Sequence, residues 1–171
     1  MLPSSTAETL LVPYRAVGLV TDGTPFAVVE HGTETFITCG IGRSYQIFNC
    51  AKLRQAFVGE QLRRSVSALC AHASLTIVGS GPAALVYRRA ELVATCEGEH
   101  EAPLRHMLTI GDTLVTVCEQ GLVVAWALPA GEVVCRLHAG FAPTALTHPA
   151  TYLNKVLLGA PDGRMQLWNL R

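Results

Sequence analysis

The sequence predicts an all-β protein, an incomplete β-propeller of about four blades with four antiparallel strands in each. Three observations carry that expectation. Four segments align around an aromatic residue, Tyr45 to Asn49, Ala84 to Arg88, Val123 to Ala127 and Met165 to Asn169, and their aromatics Phe48, Tyr87, Trp126 and Trp168 are spaced 39, 39 and 42 residues apart. Each aromatic ends a short apolar run that follows a glycine (Gly42, Gly81, Gly121 and Gly163), the pattern of a tight turn feeding a strand. The upstream half of the unit recurs as well, in Val66 to Cys70, Leu104 to Leu108 and Pro143 to Thr147.

In chain order, residues 1–12 are expected to be a flexible segment, and Tyr14 to Val20 a possible first strand. Residues 13–171 form the propeller portion, with blades over about 24–60, 64–98, 102–138 and 142–171. Within a unit the first strand is followed by a second β-rich run, seen in Leu75 to Val78, Leu114 to Cys118 and Lys155 to Leu158. The third strand carries the aromatic. Polar turn residues then lead to a fourth strand, in Leu53 to Val58, Leu92 to Cys96 and Val133 to Leu137, so the period leaves no room for a helix of about 11 residues. A unit near 40 residues is too small to bury its own core. Stacking blade on blade supplies one, and Phe48, Tyr87, Trp126 and Trp168 are expected to pack between blades as structural residues.

Composition narrows the function. Half of the 171 residues are hydrophobic and 15% are charged, against about 25% in an ordinary domain, which excludes disorder as the main state. Thirteen Lys and Arg balance thirteen Asp and Glu, so no broad basic glove for nucleic acid is expected. No Lys or Arg precedes Leu10-Leu11-Val12, and the longest apolar run, Leu122 to Leu128, is far below the roughly 18 residues of a membrane span; neither a signal segment nor a membrane anchor is expected. The six cysteines are scattered, without Cys-x-x-Cys or Cys/His ligand spacing, and read as reduced thiols on strands. No metal or cofactor is expected.

One segment competes with the repeat. Leu75 to Ala84 reads as a strand followed by Gly79-x-Gly81-x-x-Ala84, the fingerprint with which a backbone approaches a dinucleotide pyrophosphate at a helix N-terminus. Glu97 would be its ribose acid, but it comes 18 residues after Gly79, short of the usual interval of about 20. The same residues also fall in register with the blades, which makes Gly81 a turn glycine and Tyr87 a third-strand aromatic. Other catalytic patterns are absent: Ser80 sits in Gly-Ser-Gly rather than a nucleophile elbow, and His100 and His106 lack helical ligand spacing. His72, His100 and His138 fall near blade starts and read as structural. The two basic doublets, Arg63-Arg64 and Arg88-Arg89, read as solvated loops, with phosphate contact as the alternative.

Gly98-Glu-His100 lies 26 residues before Trp126, and Asp162-Gly163 precedes Trp168, which resembles the WD-repeat pattern. That resemblance implies a buried network of His, Asp and Trp. The dipeptides depart from it: they are Phe-Asn, Tyr-Arg, Trp-Ala and Trp-Asn, and Glu119 stands where the third unit would carry Asp. More specifically, Pro13 to Val28, Gly32 to Thr38 and above all Phe141 to Gly159 resemble the U-three snoRNA-associated WD-repeat family of the small-subunit processome, in its N-terminal propeller. The resemblance implies a nucleolar, non-catalytic scaffold for ribosome biogenesis and pre-rRNA processing. Its implied partners are other processome WD-repeat subunits and U-three snoRNP proteins, with local contact to pre-rRNA or snoRNA and none to membrane. The blade register places Arg43, Arg63, Arg64, His100, Glu101, Gln120 and Asp162 in turns or linkers as candidate interaction residues. Two other readings stand beside this one: a generic WD-repeat adaptor, such as a ubiquitin-ligase receptor or signalling scaffold, and a dinucleotide-binding enzyme acting through Gly79 and Gly81.

Overall fold

The computed structural model describes residues 23–52 and 54–170, so segment 1–12, the strand expected at Tyr14 to Val20, and Leu53 lie outside the described residues. Those described form fifteen strands and no helix. Blade one is β1 (Ala27–His31), β2 (Glu34–Ile41), β3 (Ser44–Asn49) and β4 (Arg54–Val58). Blade two is β5 (Val66–His72), β6 (Leu75–Ser80), β7 (Ala83–Arg88) and β8 (Glu91–Cys96). Blade three is β9 (Leu104–Ile110), β10 (Thr113–Cys118), β11 (Leu122–Ala127) and β12 (Glu132–His138). Blade four contributes β13 (Ala145–Thr147), β14 (Lys155–Gly159) and β15 (Met165–Asn169). Every sheet is antiparallel in simple sequence order, and the four form an unclosed arc, an incomplete WD-repeat propeller.

Local chemistry sets these elements. The turns between second and third strands need a left-handed residue, and the glycines supply it, with φ of 58° at Gly42, 62° at Gly81, 85° at Gly121 and 86° at Gly163. Gly121 is doubly constrained, because a Cβ there would lie 2.1 Å from the carbonyl oxygen of Phe141. Three of these turns also tie one blade to the chain entering the next: Val66 N–H donates to the Gly42 carbonyl at 2.8 Å, Leu104 N–H to Gly81 at 2.7 Å, and Ala139 N–H to Gly121 at 2.9 Å. Beside the aromatics, at Ile47/Phe48, Val86/Tyr87 and Ala125/Trp126, the register between third and fourth strands shifts. Such a bulge raises the local twist, and its recurrence gives the outer strands a common set.

Because neighbouring side chains point to opposite faces, each central strand feeds two cores. On β7, Tyr87 joins Tyr45, Val66 and Val78 in the cluster between blades one and two, while Ala84 and Val86 belong to the cluster between two and three. On β11, Val124 and Trp126 face blade two, and Val123 joins Val156 and Leu158 between blades three and four. Trp168 packs against that last cluster. Phe48 belongs to none of the three and is half-buried, because its face of blade one has no described sheet against it. At the other end Met165 and Leu167 are 72% and 52% exposed on the free face of blade four.

Candidate interaction surface

The strand order puts the turns between second and third strands at the same end of the arc as the linkers between blades. Six of the seven residues expected in loops are exposed there. Arg43, in the β2–β3 turn, donates from Nε to the Leu62 carbonyl at 2.8 Å, while Leu62 N–H donates back to the Arg43 carbonyl at 2.7 Å. Arg63 and Arg64 follow in the linker, and Ser80 Oγ donates to the Arg64 carbonyl at 3.0 Å. The Arg64 side chain lies across the β6–β7 turn, where a Cβ on Gly81 would come within 2.6 Å of Arg64 Cδ. Glu101 is exposed in the next linker and Gln120 in the β10–β11 turn. Asp162, in the β14–β15 turn, accepts the Arg164 N–H at 3.1 Å and its guanidinium at 2.6 Å, and that backbone bond, with the guanidinium, lowers its pKa.

His100 is the exception and corrects the expectation of a loop contact, since it is 6% exposed. Its Nε2 meets Thr116 Oγ1 at 2.7 Å, and Trp126 Nε1 donates to the same oxygen at 2.8 Å. Burial pushes the imidazole down to about 4, so the ring is neutral at physiological pH. The network therefore forms around Thr116 rather than an acid. Glu119, at the position expected for Asp, is exposed and pairs with Arg105 at 3.7 Å, while His100 Nδ1 is buried without a hydrogen-bond partner. Thr116 was legible in principle, as the polar residue inside the apolar run Leu114 to Cys118 and within reach of two buried rings.

Charge on this end is mixed, with Glu60 and Glu97 sharing a cleft with Arg63 and Arg64, and with Arg105 beside Glu119. Arg43, Arg63 and Arg64 gather at the first linker, and Glu99, Glu101 and Glu119 lie toward blade three, Glu99 being held by Arg136. A cleft of about 530 Å³ opens between the first linker and blade two, lined by Arg63, Arg64, Glu60, Glu97 and Tyr87. There Tyr87 donates its hydroxyl proton to Glu60 at 2.8 Å, and burial together with that carboxylate raises the phenol pKa. Such a surface can grip a partner by several small patches of opposite sign.

The dinucleotide alternative fails on geometry. Gly79 lies within β6, Gly81 makes the β6–β7 turn, and residues 83–88 are strand where the fingerprint needs a helix. A Cβ on Gly79 would sit 3.3 Å from Ala68 Cβ, so this glycine serves close packing between strands. Among the described residues no group of three His, Cys, Asp or Glu is placed to hold a metal ion. All six cysteines are free thiols, and burial raises Cys70 to about 12 and Cys96 to about 11, which makes both poor nucleophiles.

Residues 37–171 match the family model for the WDR36/Utp21 first β-propeller. The chain belongs to that family. It is 32% identical over 169 residues to the U3 small nucleolar RNA-associated protein 21 homolog of Schizosaccharomyces pombe, covering 95% of this chain and 19% of that one. It is 28% identical to WD repeat-containing protein 36 of Homo sapiens, covering 97% of this chain and 19% of the relative. The WDR36/Utp21 propeller chain thus spans about a fifth of the length of these relatives. Among solved structures, the computationally designed Ika4 protein superposes with a TM-score of 0.74 at 16% identity, covering 94% of this chain and 100% of that one. A chain of the mitotic checkpoint complex superposes with a TM-score of 0.77 at 15% identity, over 91% of this chain and 51% of that one. At such identities these likenesses speak for the fold alone.

Proposed function

We propose that this WDR36/Utp21-type propeller chain acts as a non-catalytic scaffold subunit in small-subunit processome assembly, pre-rRNA processing and ribosome biogenesis, working in the nucleolus. The observation that carries the reading is family membership over residues 37–171, together with relatives whose names tie them to U3 small nucleolar RNA. Its partners are then other processome WD-repeat subunits and U-three snoRNP proteins. The turn-and-linker end, with Arg43, Arg63, Arg64, Glu101, Gln120 and Asp162, is the surface we assign to them. A net charge of zero favours protein contacts, with RNA touched locally at the arginine side of that end.

Affinity purification of the tagged chain from its own cells tests this. Recovery of U-three RNA with processome subunits supports the reading. Recovery of ubiquitin-ligase or signalling components, with no nucleolar material, replaces it with the generic adaptor.

A further inference from the structure

The three joints between blades are built to one plan, and one of them departs from it. In the second joint the residue two beyond Trp126 is Leu128, which is 9% exposed within the cluster between blades two and three. In the third joint the residue two beyond Trp168 is Leu170, which packs against the cluster between blades three and four. Both leucines are set by a backbone bond, from Leu128 N–H to the Asp112 carbonyl and from Leu170 N–H to the Asn154 carbonyl, each 2.8 Å. In the first joint the same position, two beyond Tyr87, holds Arg89. The β7–β8 hairpin is tighter there: Arg88 pairs with Glu91, and Arg89 sits in the intervening two-residue turn at φ 58°. By contrast, Ala127 pairs with Glu132 across four residues in blade three, which leaves Leu128 free to turn inward.

The missing apolar plug leaves a cavity of about 550 Å³ between blades one and two, walled by Val29, Phe36, Ile47, Phe57 and Leu75. That size falls within the usual range for ligand pockets, about 300 to 1,000 Å³. A second departure lies in the same place. Thr38 lines the cavity, is 1% exposed, and its Oγ1 has no hydrogen-bond partner, whereas strand register puts the fully buried Ile77 and Val115 at its position in blades two and three. Threonine is also smaller than the isoleucine of blade two, so this position fills less of the joint. Arg88 and Arg89 stand at the rim with His31, against a single carboxylate, Glu91, and among the described residues neither guanidinium is engaged in an ion pair. The rim is therefore positive although the chain as a whole is neutral.

We infer that the cavity between blades one and two is a binding site for an acidic peptide segment, in which one large apolar side chain takes the place of the missing leucine and flanking Asp or Glu residues meet Arg88 and Arg89. A chamber walled mostly by apolar side chains, with its charged groups at the mouth, suits an aliphatic side chain. A nucleobase needs matched donors and acceptors along its polar edge, and within the chamber only the hydroxyls of Thr38, Ser74 and Thr76 are on offer. The inference is independent of the processome reading, since a peptide of this chemistry can be carried by any protein and either idea can fail alone.

The test is fluorescence anisotropy with the purified chain and a labelled peptide, acetyl-Gly-Asp-Glu-Leu-Asp-Glu-Gly-amide. Controls are the same peptide with Lys replacing every acid, and a ten-nucleotide oligouridylate. Saturable, salt-sensitive binding of the acidic peptide is expected, with at least a tenfold loss in Arg88→Glu/Arg89→Glu. Thr38→Ile keeps both arginines but fills part of the chamber, and it should weaken binding severalfold while leaving the circular dichroism unchanged. That second variant decides the matter if the charge-reversed one misfolds. No saturable binding of the acidic peptide, undiminished binding in Thr38→Ile, or preferential binding of the oligonucleotide with displacement of the peptide would each overturn the inference.

Discussion

Thr116 is the residue on which blade three turns, and it shows how a small polar group can organise a large apolar joint. Its hydroxyl oxygen takes the Trp126 Nε1 proton and meets His100 Nε2, so one buried atom satisfies two rings from different segments. Thr116→Val would keep the shape and strand both rings. Leaving buried polar groups unpaired costs about 1 to 3 kcal/mol each. We expect a loss of about 2 to 4 kcal/mol in urea denaturation, and less than about 1 kcal/mol for Thr116→Ser. His100 also gives the fold a defined acid response. Its folded pKa, near 4, lies below the ordinary 6.5, so the unfolded chain binds the proton first as pH falls. The stability it contributes is intact above about pH 6.5 and is lost progressively as pH falls toward 4, by about 2 kcal/mol after allowance for partial solvation. Denaturation midpoints measured between pH 7.5 and 4.5 should decline across that window, and the decline should be shallower in His100→Gln.

At the scale of strands and turns, the glycines and aromatics do different work. Gly121→Ala must clear the Phe141 carbonyl, which would lie 2.1 Å away, while holding φ near 85°. Both strains act together, and we expect a loss of more than about 2 kcal/mol by thermal or urea unfolding. Trp126→Ala empties the joint between blades two and three, at a cost of about 3 to 5 kcal/mol. Much of this level was legible beforehand. Periodic glycine followed by an aromatic marks a turn and a strand wherever it occurs, because φ > 0 and burial are requirements of the backbone and the core rather than of context. Tyr87, Trp126 and Trp168 accordingly sit at joints. What sequence could not give were relations across blades. Phe48 has the same pattern as the other three, yet whether an aromatic is buried depends on the next sheet, which its own strand does not encode. His100, near a blade start, reads as structural and yet falls among the candidate interaction residues, because blade register alone does not put Thr116 beside it. The Arg88-Arg89 doublet looked like an ordinary solvated turn because its effect, an unfilled joint, is visible only against Leu128 and Leu170.

At the scale of the whole molecule, the described residues form an arc with two blades covered on both sides and two covered on one. Blade two lies between the first and second clusters and blade three between the second and third. Blade one leaves the Phe48 face uncovered among the described residues, and blade four leaves Met165 and Leu167 in solvent. A chain with half its residues hydrophobic and 15% charged is suited to that arrangement, since its surface has little full charge to hold water at the ends. Unpaired edges and open apolar faces also lower the local stability of the strands that carry them. Hydrogen–deuterium exchange of the purified chain tests the unclosed, unequal arc most directly. Slowest exchange is predicted in β6, β7, β10 and β11, and much faster exchange in β3, β14 and β15. Uniform protection of all four blades would contradict it, because that is the signature of a closed ring in which the faces of Phe48 and Leu167 cover each other.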